Sequence, residues 1–423
     1  MRLRPQVFFS NGFLAVQMTT YSGRQKHSKF KSVKRKMLKS IRILLTGLLL
    51  SPFIIYSQTT PSETSQPTMS FEEYDPRSAL VVPVHPVTRA KYPFIDVHNH
   101  QNSMAPENLQ KLVADMDKLN MAVMVNLSGR GFKRTQNPDG TTTFGLNDSE
   151  YLKKSVENAK AVAPGRFIVF TNVDFSRIGE PGWTEKAVQE LEQDVKNGAA
   201  GLKIYKSLGL EVKDTSGKRV PVDDPRLDPI WAKCGELKIP VLIHTGDPAS
   251  FWLPQDKNNE RWLELKQFPD RNRFGKEPAW EQVMNEQFNV FRRHPQTHFI
   301  SAHMAWMASD LARLGKLLDE IPNMSTEIGA IIYDPGRQPR FARAWFTKYQ
   351  DRVLFGKDIW APEEYYCYFR VLETADEYFD YYRKRHAFWK LYGLELPDAV
   401  LKKLYYKNAL KILPGLDKTK FPQ

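Results

Sequence analysis

From Tyr92 onward, short apolar runs alternate with stretches in which apolar residues recur at helical spacing. Such alternation predicts repeated strand-helix units and a parallel sheet. The predicted strands are PFIDVHNH (93–100), MAVMVNLSG (121–129), RFIVFTNVDF (166–175), AAGLKIYKS (199–207), IPVLIHTG (239–246), THFISAHMA (297–305), MSTEIGAII (324–332) and RVLFGKDIWA (352–361). Segments such as ENLQKLVADMDKLN and AWEQVMNEQFNVFRRHP separate them as helices. Eight strands alternating with helices is the count of an α/β (β/α)8 TIM barrel. The rival architecture is an open doubly wound sheet, whose phosphate-binding spellings are missing. No G-x-x-x-x-G-K-[ST] occurs, and SGRGFKR (128–134) lacks the final glycine of G-x-G-x-x-G. Long βα loops come after the second strand (130–147) and the fifth (247–278), at the strand ends where barrels build active sites.

Within a strand, successive side chains point to opposite faces. Counting parity along FIDVHNH puts Asp96, His98 and His100 on one face and Ile95 and Val97 on the other. Two neighbouring imidazoles are hard to satisfy together, because neither carries charge comfortably beside the other. A shared metal ion removes the difficulty, although a core strand with satisfied histidines remains open on this motif alone. The same count turns His244 inward on the fifth strand, Ser301 and His303 on the sixth, and Gly356 and Asp358 on the eighth. On the fourth it turns Gly201, Lys203 and Tyr205 inward. A strand-end histidine or aspartate often only caps a backbone group. Four histidines and an aspartate converging on one barrel mouth favour a metal site.

The formal charge of +13 suggests an acidic partner until it is located along the chain. Of the 61 Lys and Arg residues, 11 precede residue 58 with no acidic residue among them, leaving 50 against 48 acidic residues in the remainder. This removes the main support for nucleic-acid binding. From Met37 a basic start, an apolar run from Ile43 to Tyr56 and the small Ser57 have the form of a secretory signal peptide. The run of 14 residues falls short of the ~20 that span a bilayer, so no stable membrane anchor is expected after its removal. Residues 1–57 therefore read as a basic extension plus signal peptide, 58–91 as a linker, 92–415 as the barrel and 416–423 as a tail. The expected location is exported, periplasmic or secreted. Two cysteines, Cys234 and Cys367, do not make a disulfide scaffold.

His-x-His on the first strand, Lys on the fourth, His on the fifth, His on the sixth and Asp on the eighth resemble the metal-dependent barrels of the amidohydrolase superfamily. The spellings GLKIY, IHTGDP, SAHMA, RVLFGKD and YYKNALKIL are most similar to its amidohydrolase 2 branch of hydrolases and decarboxylases, over about 93–414. The resemblance implies one divalent metal held by His98, His100, His244 and Asp358, with His303 as a further ligand or as an acid or base. Zinc suits such donors, with Mn2+ or Fe2+ as alternatives. Lys357 stands where a Thr or Ser usually precedes the aspartate. Binuclear relatives carry a carbamylated lysine at the position of Lys203; the branch resembled favours a mononuclear site and an unmodified lysine.

The expected chemistry is hydrolysis of a lactone, ester or amide by activated water, with Asp358 and His303 catalytic. Lys203, Tyr205, Arg130 and Trp252 are the candidate substrate contacts, and a cationic rim suits a carboxylated or sugar-acid-like small molecule. Non-oxidative decarboxylation of an aromatic or unsaturated acid is the enzymatic alternative. A small-molecule-binding barrel without turnover is the non-enzymatic one. A homo-oligomer is compatible with the sequence.

Overall fold

The computed structural model describes residues 68–136 and 142–422. The basic extension and signal segment expected over 1–57 lie outside the described residues. Residues 68–79 belong to a unit of their own, with one turn in which Glu73 and Tyr74 donate to the Ser70 carbonyl. A second unit, from Leu80 onward, carries the sheet and the helices.

Its strands are β1 (Phe94–Asn99), β2 (Met121–Asn126), β3 (Phe132–Gln136), β4 (Thr142–Leu146), β5 (Phe167–Val169), β6 (Thr171–Asn172), β7 (Leu202–Ile204), β8 (Val241–Ile243), β9 (Phe299–Ser301), β10 (Met324–Glu327) and β11 (Val353–Leu354). β3 and β4 make an antiparallel hairpin inside the insertion after the second predicted strand. The others run parallel in the order β1-β2-β5 and β6-β7-β8-β9-β10-β11. β5 and β6 are one barrel strand interrupted at Phe170, whose N–H still donates to the Asn126 carbonyl before Thr171 donates to Gly201. The sheet closes where Val97 donates to the Phe355 carbonyl and Asn99 bridges to Asp358. The result is the eight-stranded barrel expected from the sequence.

The ring of Phe170 fills the interior so tightly that a Cβ on Gly201 would stand 2.3 Å from it, which is why that inward position carries no side chain. Outside, Phe94 and Phe355 pack on each other and on Tyr365, Phe369 and Tyr405, joining β1 and β11 to the helix Pro362–Glu373 and the C-terminal helical segment. Phe299 lies between Trp231 and Phe291 of the helices Asp228–Glu236 and Trp280–Arg293. Among the described residues no helix is long and apolar enough to cross a membrane.

Two parity counts are corrected. Asp96 accepts from the Tyr365 hydroxyl at 2.6 Å and so faces the helix layer, not the side of the histidines. The ladder shifts register between Asp96 and Asn99, where three steps of β1 match two of β2 and the Asp96 carboxylate takes the His98 N–H at 3.0 Å; this bulge reverses the facing of the residues after it. Ser301 likewise accepts from Gln287 of the helix Trp280–Arg293 at 3.0 Å, on the same face as Phe299. Residues 80–91, the end of the predicted linker, have neither helix nor strand but are pinned to the barrel. His85 donates its N–H to Asp376 at 2.8 Å and Ala90 donates to Leu119.

Candidate metal centre

His98 leaves β1 with both ring nitrogens committed in direction. Its Nδ1 lies 2.9 Å from Glu327 Oε1 at the end of β10. A carboxylate only accepts, so Nδ1 carries the proton and Nε2 presents its lone pair. That Nε2 stands 3.6 Å from Asp358 Oδ1, and His100 Nε2 stands 3.8 Å from the same oxygen. His100 is turned by a second relay. Its Nδ1 is 2.8 Å from Ser128 Oγ, Ser128 is 3.1 Å from the Tyr205 hydroxyl, and Tyr205 donates to the Leu127 carbonyl at 3.2 Å. Read from the carbonyl backward, every proton points away from His100 Nε2, which is left as an acceptor.

His303 reaches the interior by a different route from strand alternation. Residues His303 to Trp306 run with φ between 50° and 55°, a left-handed turn of four residues with side chains. Each such residue costs about 1–2 kcal/mol. The turn is held by Glu327, whose Oε1 accepts the His303 N–H at 2.7 Å, and it lets His303 point inward although β9 ends with Ser301 facing out. His303 Nδ1 lies 2.7 Å from the Gly329 carbonyl, so it is the protonated nitrogen, and Nε2 accepts from His244 Nδ1 at 3.3 Å. His244 Nε2 is then a buried lone pair without a hydrogen-bond partner.

Burial disfavours the charged form of His98, His100 and His244. Desolvation, then the nearby Lys203 ammonium, pushes His100 down to about 4 and His98 well below its usual value; desolvation with His303 does the same to His244. Burial acts to raise the Asp358 carboxyl, but the surrounding imidazoles and Lys203 outweigh it and hold it at about 2. Lys203 itself is buried, 3.5 Å from His98 Nε2, and desolvation brings it down to about 8 against the pull of Asp358 and Glu327.

Neutral Nε2 atoms and an ionised carboxylate oxygen are the donors a divalent cation takes. The ligand atoms of a tetrahedral zinc site stand roughly 3.3 Å apart, given ~2.0 Å bonds, so spacings of 3.6 and 3.8 Å about Asp358 fit a cation at this point. The four residues expected as ligands are thus not equally placed. His98, His100 and Asp358 form one cluster of donor atoms, while His244 adjoins them through His303.

The amidohydrolase family matches residues 95–415. The chain belongs to this family of metal-dependent enzymes. No curated protein matches the sequence. Among solved structures, an uncharacterised TIM-barrel protein from Bordetella bronchiseptica is similar at 15% identity, covering 76% of this chain and 98% of its own, with a TM-score of 0.47. The 2,6-dihydroxybenzoate decarboxylase from Rhizobium is similar at 14% identity, with 76% and 98% coverage and a TM-score of 0.43. The 4-oxalomesaconate hydratase from Rhodopseudomonas palustris is similar at 15% identity, with 76% and 95% coverage and a TM-score of 0.43.

Glu327 is the residue that sequence reasoning missed. It is fully buried, and besides His98 and the His303 backbone it accepts the Gly329 N–H. With His98 and His303 it forms a second cluster of donor atoms close enough to share a cation. Its signal was available: an acidic residue inside the apolar run MSTEIGAII, at the end of a barrel strand. Gly356 reports the same crowding, since a Cβ there would stand 2.3 Å from Glu327 Oε2 and 2.9 Å from the His98 Cβ.

The four candidate substrate contacts separate. Lys203 and Tyr205 border the histidines, Tyr205 stacking on His100 with ring centroids 5.8 Å apart. Arg130 is instead bound to Glu190 at 2.9 Å and to the Asn147 carbonyl at 2.8 Å, and Trp252 donates to the Pro278 carbonyl at 2.8 Å beneath Arg273. The Nε and Nη1 of Arg130 and the Nε1 of Trp252 are thus bonded within the protein. Lys357 points to the helix Pro362–Glu373, where it meets Glu364 and the Ile359 carbonyl.

Proposed function

We propose that the protein is a metal-dependent hydrolase that cleaves a C–O or C–N bond of a small lactone, ester or amide, with zinc as its cation. The observation that carries this reading is the meeting of His98 Nε2 and His100 Nε2 at the ionised Asp358 Oδ1. His98, His100, His244 and Asp358 would hold the divalent ion, which would supply Lewis acidity toward a water (pKa toward ~7) and the substrate carbonyl. Asp358 takes the proton of the attacking water, whose oxygen bonds to the carbonyl carbon. The C–O or C–N bond then breaks, and the leaving group receives a proton from Asp358 or His303. Tyr205 and Ser128 keep His100 Nε2 deprotonated and aimed, and Lys203 is assigned to an anionic oxygen of the substrate.

The rival, non-oxidative decarboxylation, requires a proton delivered to carbon. An Asp358 that begins ionised is better suited to accept a proton than to donate one, which supports hydrolysis. On the pattern from Met37 to Ser57 we also assign the protein to the periplasm or the exterior, acting on a small molecule.

The test is Asp358→Asn, assayed beside the parent for bound metal and for turnover on a panel of lactones, esters, amides and aromatic acids. Asparagine still offers an oxygen but accepts no proton. Partial metal retention with a rate loss of ~10²- to 10⁴-fold on an ester, lactone or amide is expected. Full turnover in the variant, or turnover of aromatic acids alone, contradicts the reading.

A further inference from the structure

Two segments, the insertion 247–278 after the C-terminal end of β8 and the stretch 374–397 after the helix Pro362–Glu373, meet around His386. Four guanidiniums, those of Arg261, Arg383, Arg385 and Arg271, bear on this one buried imidazole. Arg271 and Arg385 are drawn to the same Phe268 ring, 4.4 and 5.2 Å from its centroid, and Arg261 lies 5.0 Å from the centroid of Tyr333. Bringing so many like charges together out of water is costly unless each is paired.

The carboxylates present do not suffice. Glu264 is shared by Arg261, at 2.6 Å, and Arg271. Glu364 is shared by Arg383, at 2.9 Å, and Lys357. The next two acids, Asp334 and Glu260, pair with Arg337, at 3.0 and 2.7 Å, and Asp334 also bears on Arg261. Arg385 has no carboxylate partner among the described residues, and its buried Nε makes no hydrogen bond. His386, 8% exposed, has an unpartnered Nδ1, and its Nε2 is 3.6 Å from Glu264 Oε1, beyond hydrogen-bonding range. The Nε of Arg261, 5% exposed, is unpartnered as well.

We infer that Arg385, Arg271, Arg261 and His386 form a binding site for an oxyanion, the carboxylate, phosphate or sulfate group of a ligand. An oxyanion supplies the negative charge that the cluster lacks and an acceptor for the unpartnered Arg385 Nε and Arg261 Nε. The guanidinium fork matches it in geometry. This assignment does not depend on the reaction at the histidine cluster.

The experiment uses the full chain with inorganic phosphate and with malonate as probes. Melting temperature and calorimetric binding are measured against sodium chloride at matched ionic strength. Arg385→Gln, which removes a side chain with no ion pair to break, is expected to weaken both probes by at least ~10-fold, the value of one charge-assisted contact. His100→Ala, at the proposed metal centre, is expected to leave both responses intact. Absence of any specific response in the parent overturns the site, as does an equal response in Arg385→Gln. A response lost in His100→Ala and kept in Arg385→Gln places the anion at the metal centre and also overturns it. The source of the anion is read from a neutral ester and its carboxylated counterpart. A KM raised in Arg385→Gln for the carboxylated ester alone identifies the substrate's own carboxylate, and loss of phosphate binding with both KM values unchanged identifies a free anion. The oxyanion site stands in both cases.

Discussion

Glu327 and His98, 229 residues apart in the chain, are joined by a 2.9 Å hydrogen bond that leaves the imidazole with its free lone pair toward Asp358. The carboxylate acts on the proposed metal site through the histidine's tautomer and basicity. Glu327→Gln preserves shape and removes the charge. Its expected effect is a 10- to 100-fold loss of metal affinity, about the usual cost of removing such a partner, with an unchanged far-UV spectrum. Competition with a chelating dye measures it, and parental affinity in the variant would show that another group orients His98.

Gly356→Ala tests the crowding around the same pair. The added methyl would stand 2.3 Å from Glu327 Oε2 and 2.9 Å from the His98 Cβ, both parts of packed, buried side chains. Overpacking of this kind costs about 1–3 kcal/mol. A lowered melting temperature together with reduced metal content is expected, whereas a parental variant would mean that the two side chains yield without loss.

Lys203 is expected to remain unmodified, with one metal equivalent per chain. Its buried amine is 3.5 Å from His98 Nε2, and the two donor clusters share His98, so they overlap as one site beside it. Intact mass and metal analysis of the same sample decide this. Two equivalents with the added mass of a carbamate contradict it.

Asp334 offers a pH test away from the histidines. Burial raises its carboxyl to about 6, against the pull of Arg337 and Arg261. Between about pH 4 and 6 the folded chain therefore holds a proton that the unfolded chain has lost. Stability from this group is complete below pH 4 and falls as pH rises through 6. A shift of about two units corresponds to about 2–3 kcal/mol. In denaturant titrations at pH 4 and pH 7, Asp334→Asn is expected to lack this part of the decline. Identical pH trends in the two proteins would contradict the buried-carboxyl account.

Alternation and helical spacing made the barrel legible because strand period and helix period are local properties, visible in runs such as MAVMVN and in the helices between. The same rule failed at Asp96 and Ser301, where a side chain bonding the backbone two residues on, or a left-handed turn, breaks the period within two residues. His303 thus faces inward for a reason that no parity count contains. Glu327 carried a local signal, an acid within an apolar strand, but what it holds, His98, lies 229 residues away. The stretch 374–397 was equally silent. It is held by arginine pairs and ring contacts, not by a repeating apolar face.

The barrel seam between β1 and β11 has a consequence for how the molecule comes into being. Lys357 N–H reaches back 261 residues to the Asp96 carboxylate, and Asp358 N–H donates to the His98 carbonyl. The first strand to be synthesised therefore waits for nearly the whole domain before it finds its second neighbour, a closure of high contact order. The seam is also where His98 and His100 meet Asp358. An incompletely folded chain has two halves of the proposed cation site and no whole one, so a cation bound there would draw the folding equilibrium toward the closed ring and no earlier species.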